Sequence, residues 1–119
     1  MSAYARVLLS SLLLFATTAL AAAGYPSVLE QEIPLYPQAQ LDSASEYPQG
    51  ASVVINTTSP VEQAARYYRD QLSGKGWEQT AVIAIGNAQA LEFSRQQSSI
   101  AISIVPTHAG TTISLSLSH

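Results

Sequence analysis

A catalytic or metal site needs a base, a nucleophile or several ligands held together, and the residues of this chain that could supply them are scattered. There are two histidines. His108 falls in a turn over residues 106–110 and His119 is the last residue, with no Cys, second His or acidic cluster beside either. A metal centre needs several such ligands converging from rigid elements. Serine is abundant, but an activated Ser needs a base within hydrogen-bond reach, and these serines alternate along strand-like segments without one. Gly74-Lys75-Gly76 follows a helix instead of opening one, which is the wrong end for a phosphate cradle. Glu30 and Glu32 are close in sequence, on a segment with no regular period to hold them as a pair. The expectation is a non-enzyme with no metal and no cofactor.

What remains is surface chemistry. Ser103, Thr112, Ser114 and Ser116 would present short polar side chains on one flat face, and residues 98–119 contain no Lys, Arg, Asp or Glu. Exposed strands normally carry charge to prevent unwanted pairing, so such a run calls for a cover. Tyr67, beside an apolar stripe, is a candidate interface anchor. Tyr36, Tyr68 and Trp77 are candidates for the wall of an apolar pocket. The first expectation is therefore a module that binds another protein, or a second copy of itself, through a sheet edge or face. The alternatives are a small apolar-ligand-binding protein and an inhibitor or immunity-type protein.

The elements that must position these residues are legible from residue 51 onward. Residues 52–57 (SVVINT) predict a strand. Ser59-Pro60-Val61-Glu62 then predicts a helix start, with Ser59 as cap, Pro60 in the first turn and Glu62 completing a capping box. Val61, Ala64, Ala65, Tyr68 and Leu72 make one apolar stripe at helical spacing, and Gly74 supplies the left-handed stop. Four alternating segments follow. In residues 77–85, Trp77, Gln79, Ala81, Ile83 and Ile85 share a face, and Gly86-Asn87 suits a hairpin turn. Leu91 and Phe93, then Ile100, Ile102 and Ile104, then Ile113, Leu115 and Leu117 form the buried sets of the other three. The fold class expected is α+β: a two-layer sandwich with one helix on a mainly antiparallel sheet of about five strands, β-α-β-β-β-β. Residues 24–50 read as an extended Pro/Gln/Ser-rich leader, in which Ile33, Leu35 and Tyr36 pin the chain to the core.

Residues 1–23 carry an address instead of chemistry. A single positive charge at Arg6, an apolar run over residues 7–20 and Ala21-Ala22-Ala23 have the layout of a secretory signal peptide, cut after Ala21 or Ala23. Ser10, Ser11, Thr17 and Thr18 dilute the run, which is short for roughly 30 Å of hydrocarbon. The mature protein is expected to be periplasmic or secreted, with no membrane anchor. Lys and Arg number 5 against 8 Asp and Glu, a net charge of −3, and no basic cluster exists, so nucleic acid is not an expected partner. With no cysteine, the domain must hold together by packing alone.

Ile33-Pro34-Leu35-Tyr36-Pro37-Gln38-Ala39, Ser59-Pro60-Val61-Glu62, Tyr67-Tyr68, Leu72 and Gly76-Trp77 resemble, in order, a group of small exported bacterial domains. Those open on IPxYPxA and carry an SPEEVxxFYxxxLxxxGW helix. The resemblance covers residues 33–95 and implies a fold and an envelope setting, but no catalytic residues. The chain departs from the lipoprotein members in having no cysteine to acylate.

Overall fold

Hydrophobic alternation from residue 88 onward is nearly strict, and it builds the centre of a single sheet. A computed structural model describes residues 24–119; the signal-like segment and its cleavage positions lie outside the described residues. A short helix α1 (Ser27–Glu30) precedes strands β1 (Gln40–Tyr47) and β2 (Gly50–Thr57). Helix α2 (Val61–Gly74) follows, then β3 (Glu78–Ile85), β4 (Ala88–Arg95), β5 (Ser98–Thr107) and β6 (Gly110–Ser118). All six strands form one sheet in the order β1-β2-β6-β5-β4-β3, with every neighbouring pair antiparallel. Helix α2 carries the chain from β2, next to one edge, to β3 at the opposite edge, packing over β3, β4 and β5, while α1 packs on β2. Among the described residues, no helix is long and apolar enough to cross a membrane.

The two-layer α+β architecture agrees with the sequence, and the sheet is larger than the expected five strands. The additional strand is β1, inside the segment read as a leader. Its sequence, QLDSASEY, is exposed at seven of eight positions, so no apolar alternation announces it. Helix α1 also lies in that segment. Ile33 and Tyr36 are buried and Leu35 packs against the core, so this strap is pinned where expected.

The core lies between the sheet and the helices. Ala64, Ala65, Tyr68 and Leu72 of α2 are fully buried against Leu91, Phe93, Ile100, Ile102, Ile104, Ile113 and Leu115. Two glycines set how closely β2 can approach its neighbours. A Cβ on Gly50 would run into the Leu117 carbonyl, and one on Gly110 (φ +144°) into the Thr57 carbonyl.

Three local expectations are corrected. The N-cap of α2 is Pro60, with no side-chain cap. Ser59 instead accepts at its carbonyl from Thr111 Oγ1 (2.6 Å), while its amide donates to Thr57 Oγ1 (3.2 Å). The helix runs through Gly74, and the left-handed conformation falls on Gly76 (φ +83°). Finally, β3 bulges between Gln79 and Ala81, so Gln79 pairs with Phe93 but Ala81 pairs with Glu92 and Ile83 with Ala90. Paired residues share a face, and an inserted residue flips everything beyond it. Ala81, Ile83 and Ile85 therefore point away from the helix, not with Trp77 and Gln79 toward it.

One polar cluster ties the strap to the sheet. Glu32 bridges Arg95 at 2.7 Å and accepts from the Trp77 indole at 3.0 Å. The Arg95 guanidinium lies 4.5 Å from the centre of the Trp77 ring and donates to the Lys75 carbonyl. Lys75 Nζ reaches back to the Gln31 carbonyl at 2.7 Å. Burial would raise the Glu32 carboxyl, but hydrogen bonds from Arg95 and Trp77 and the charges of Arg95 and Lys75 outweigh it. They hold the group below the ordinary carboxylate value.

Candidate functional site: the outer face of the sheet

The strand period of two assigns each side chain of the central strands to the core or to the opposite face. Ile100, Ile102, Ile113 and Leu115 go inward, so the residues between them go outward. Register then fixes which of these are neighbours. Ser103 lies opposite Ser114 and Ala101 opposite Ser116. Across the next ladder, Ser52 lies opposite Ser116, Val54 opposite Ser114 and Asn56 opposite Thr112. Thr112 Oγ1 donates to Asn56 Oδ1 at 2.8 Å. The four candidates Ser103, Thr112, Ser114 and Ser116 are thus brought together on one face of two adjacent central strands.

That face is a trough, not a plane. Its volume is about 460 Å³, lined by Ser43, Ser45, Ser52, Val54, Ala90, Glu92, Ala101, Ser103, Ser114 and Ser116 across five strands. Strand twist curves the sheet, and short Ser and Ala side chains leave the middle empty. Larger side chains stand toward the margins: Tyr47, Ile83, Ile85 and Val105 all belong to this face and are exposed. Glu92 is the one charged residue in the lining. Chemically, the trough offers apolar contact, backbone already satisfied within the sheet, and hydroxyls that can donate or accept.

The aromatic candidates lie on the other side of the sheet. Tyr67 is half-buried, edge-on to Tyr36 (centroids 4.8 Å) and Tyr68 (5.2 Å), and burial raises its hydroxyl above the ordinary tyrosine value. It borders a smaller cleft of about 350 Å³ with Tyr36, Gln63, Arg66 and Asp70. Tyr36, Tyr68 and Trp77 do share the core cluster, with Tyr36 and Tyr68 at 5.9 Å. Tyr36 alone of the three borders the cleft; Tyr68, fully buried, and Trp77, 3% exposed, fill space instead of enclosing it. The Tyr68 hydroxyl is enclosed without a hydrogen-bond partner, and burial drives its pKa strongly upward. Sequence reasoning thus named two groups separated by the sheet.

It also missed most of the trough, naming only Ser103, Ser114 and Ser116 of the residues that line it. Ser43 and Ser45 were hidden in the supposed leader, although their own two-residue spacing carries a strand signal. Ala90, Ala101 and Val54 drew no attention because small apolar residues resemble solvated filler. His108 sits in the tight turn between β5 and β6, and His119 Nδ1 lies 2.8 Å from Ser98 Oγ at one end of the sheet. Among the described residues, no three His, Cys, Asp or Glu side chains group as metal ligands.

No curated protein and no solved structure matches the chain. The START domain-like family matches residues 37–112, a span that begins just before β1, includes α2 and β3 to β5, and ends within β6. With well over half of its length in that match, the chain belongs to the START domain-like family.

Proposed function

We propose that this protein is a non-catalytic binding module whose outer trough takes an elongated, predominantly apolar small molecule. The observation that carries the reading is the trough itself: a concavity of about 460 Å³ on a face of Ser and Ala. That volume lies within the range of small-molecule sites, which combine apolar walls with a few polar groups. Membership of a START domain-like family supports it, since the family points toward a ligand-binding fold. With Glu92 the sole charge in the lining, a neutral or cationic ligand is favoured over an anionic one. Export to the periplasm or beyond, argued from residues 1–23 and from the likeness to small exported domains, is the setting we propose for it.

A second reading has its own observation. The trough is open along one side, so a small molecule would keep one surface in water. A polypeptide laid across the strands would bring its own cover, as expected of a protein-binding face. Titration with Nile red, a neutral apolar dye, separates the two. A saturable blue shift in the wild type that weakens at least about tenfold in Ser114→Trp, with Tyr67→Ala unchanged, supports the small-molecule site. Dye binding indifferent to Ser114→Trp rejects it.

A further inference from the structure

We infer that the β3 edge is a self-association surface, through which two copies of this chain pair antiparallel and join their sheets into one. The two edges of the sheet are built differently. Both edge strands carry one bulge, β1 between Leu41 and Ser43 and β3 between Gln79 and Ala81, so the difference lies in charge. On the β1 edge stand Asp42 and Glu46, and charge commonly keeps an edge from pairing. On the β3 edge, no charged residue occurs from Gln79 to Leu91, and Val82, Ile83 and Ile85 are 46%, 48% and 69% exposed. An exposed, apolar, uncharged edge strand invites another strand.

Charge and symmetry point to a second copy as the occupant. The chain is acidic, with a net charge of −3, so two copies approach best along Gln79–Ile85, the part of β3 that holds no carboxylate beyond Glu78 at its start. Along β3, an antiparallel register centred on Ile83 sets Ile83 against its counterpart and Ile85 against Ala81 on the outer face. On the helix side it sets Val82 against Ala84. Every one of these cross-strand pairs is apolar, the kind that stabilises a ladder. The pairing is its own two-fold partner and consumes the edge, while the acidic β1 edge, with Asp42 and Glu46, does not repeat it. Assembly therefore closes at two. A two-fold axis perpendicular to the sheet leaves both troughs on the same side, with Ile83 and Ile85 of each copy forming an apolar ridge between them. One strand pair and a few aliphatic side chains fall at or below the low end of specific interfaces, roughly 1,200 Å². The dimer is accordingly weak and forms reversibly with concentration.

The test is sedimentation velocity across a wide concentration range, with a cross-link to fix the register. The wild type should pass from monomer to dimer as concentration rises. Ile83→Lys should remain monomeric, whereas Ser114→Lys, at the middle of the outer face, should dimerise like the wild type. Because the chain contains no cysteine, single substitutions report distance directly. Ile83→Cys should oxidise to a covalent dimer, since directly opposed Cα atoms lie about 5 Å apart. Ile85→Cys should not, being offset from its counterpart by four residues, roughly 13 Å. A wild type that stays monomeric, an Ile83→Lys variant that dimerises normally, or equal cross-linking of both cysteine variants would each overturn the inference. None of these outcomes depends on whether the trough binds a small molecule.

Discussion

The two faces of this sheet are made by the same strands, residue by residue in alternation, yet they obey different rules. On the helix side, Ile100, Ile102, Ile104, Ile113, Leu115 and Leu117 are at most 2% exposed and leave little room. On the other side, Ala101, Ser103, Ser114 and Ser116 leave a trough of about 460 Å³. The difference teaches where this domain keeps its stability and where it has freedom to recognise something else. A small protein without disulfides has little burial to spare, so it cannot leave both faces unpacked. One face is filled and the other is left available.

The sharpest way to break that comparison is a pair of neighbouring substitutions on β5. Ile102→Ala opens a cavity beneath α2 and should cost about 2–5 kcal/mol, lowering the denaturation midpoint or abolishing folding. Ser103→Ala, one residue on and facing outward, should change stability by less than about 0.5 kcal/mol. Urea unfolding followed by far-UV circular dichroism measures both. Comparable losses would show that the outer face carries packing of its own.

How much of this was legible in the sequence follows from the same alternation. The inward sets of β4, β5 and β6 and the stripe of α2 were readable because burial on one face forces a period of two or 3.6. The extent of the sheet was not, because β1 is an edge strand held by backbone hydrogen bonds, and its side chains carry no period of burial. The reversal of Ile83 and Ile85 was not legible either: Trp77, Ala81, Ile83 and Ile85 keep perfect parity in sequence, and a single bulge breaks it in space. The serine face was found through its missing charges, but its concavity belongs to the curvature of five strands together. Of the aromatic trio, Tyr36 borders the small cleft beside Tyr67 while Tyr68 and Trp77 are packed into the core, since the residue types that line pockets are also those that fill cores.

A smaller effect should arise where the filled face is closed by the strap. Glu32→Gln keeps the shape but removes the charge that holds Arg95 and accepts from Trp77, and should cost on the order of 1 kcal/mol, the scale of a partly exposed ion pair. The pH dependence has a definite sign. The folded-state pKa of Glu32 lies below its ordinary value of 4.5, so the stabilisation is fully present above that pH. It is lost as pH falls through the lowered folded-state value. Wild type and variant should therefore differ at pH 7 and converge in acid, as followed by thermal melts across that window. Equal stability at both ends would mean that the apolar contacts of Ile33 and Tyr36 alone hold the strap.

The smallest effect tests whether the filled face is as dry as its burial implies. Tyr68 is fully buried, and its hydroxyl has no hydrogen-bond partner. A buried donor without a partner loses its hydration for nothing in return, a penalty of about 1–3 kcal/mol that removal of the group relieves. Against this stands the small void that the missing oxygen leaves beside Tyr36 and Tyr67. The two oppose each other, so Tyr68→Phe should fall between neutral and about 1 kcal/mol more stable, raising the melting temperature by no more than roughly 4–8 °C. The corresponding change at Tyr25, whose hydroxyl donates to the Ile33 carbonyl at 2.9 Å, should destabilise, because it leaves that carbonyl unpaired. If Tyr68→Phe instead costs as much as Tyr25→Phe, the Tyr68 hydroxyl is satisfied by water. The face beneath α2 would then be wet at its centre, and the contrast with the open trough would lie in shape alone.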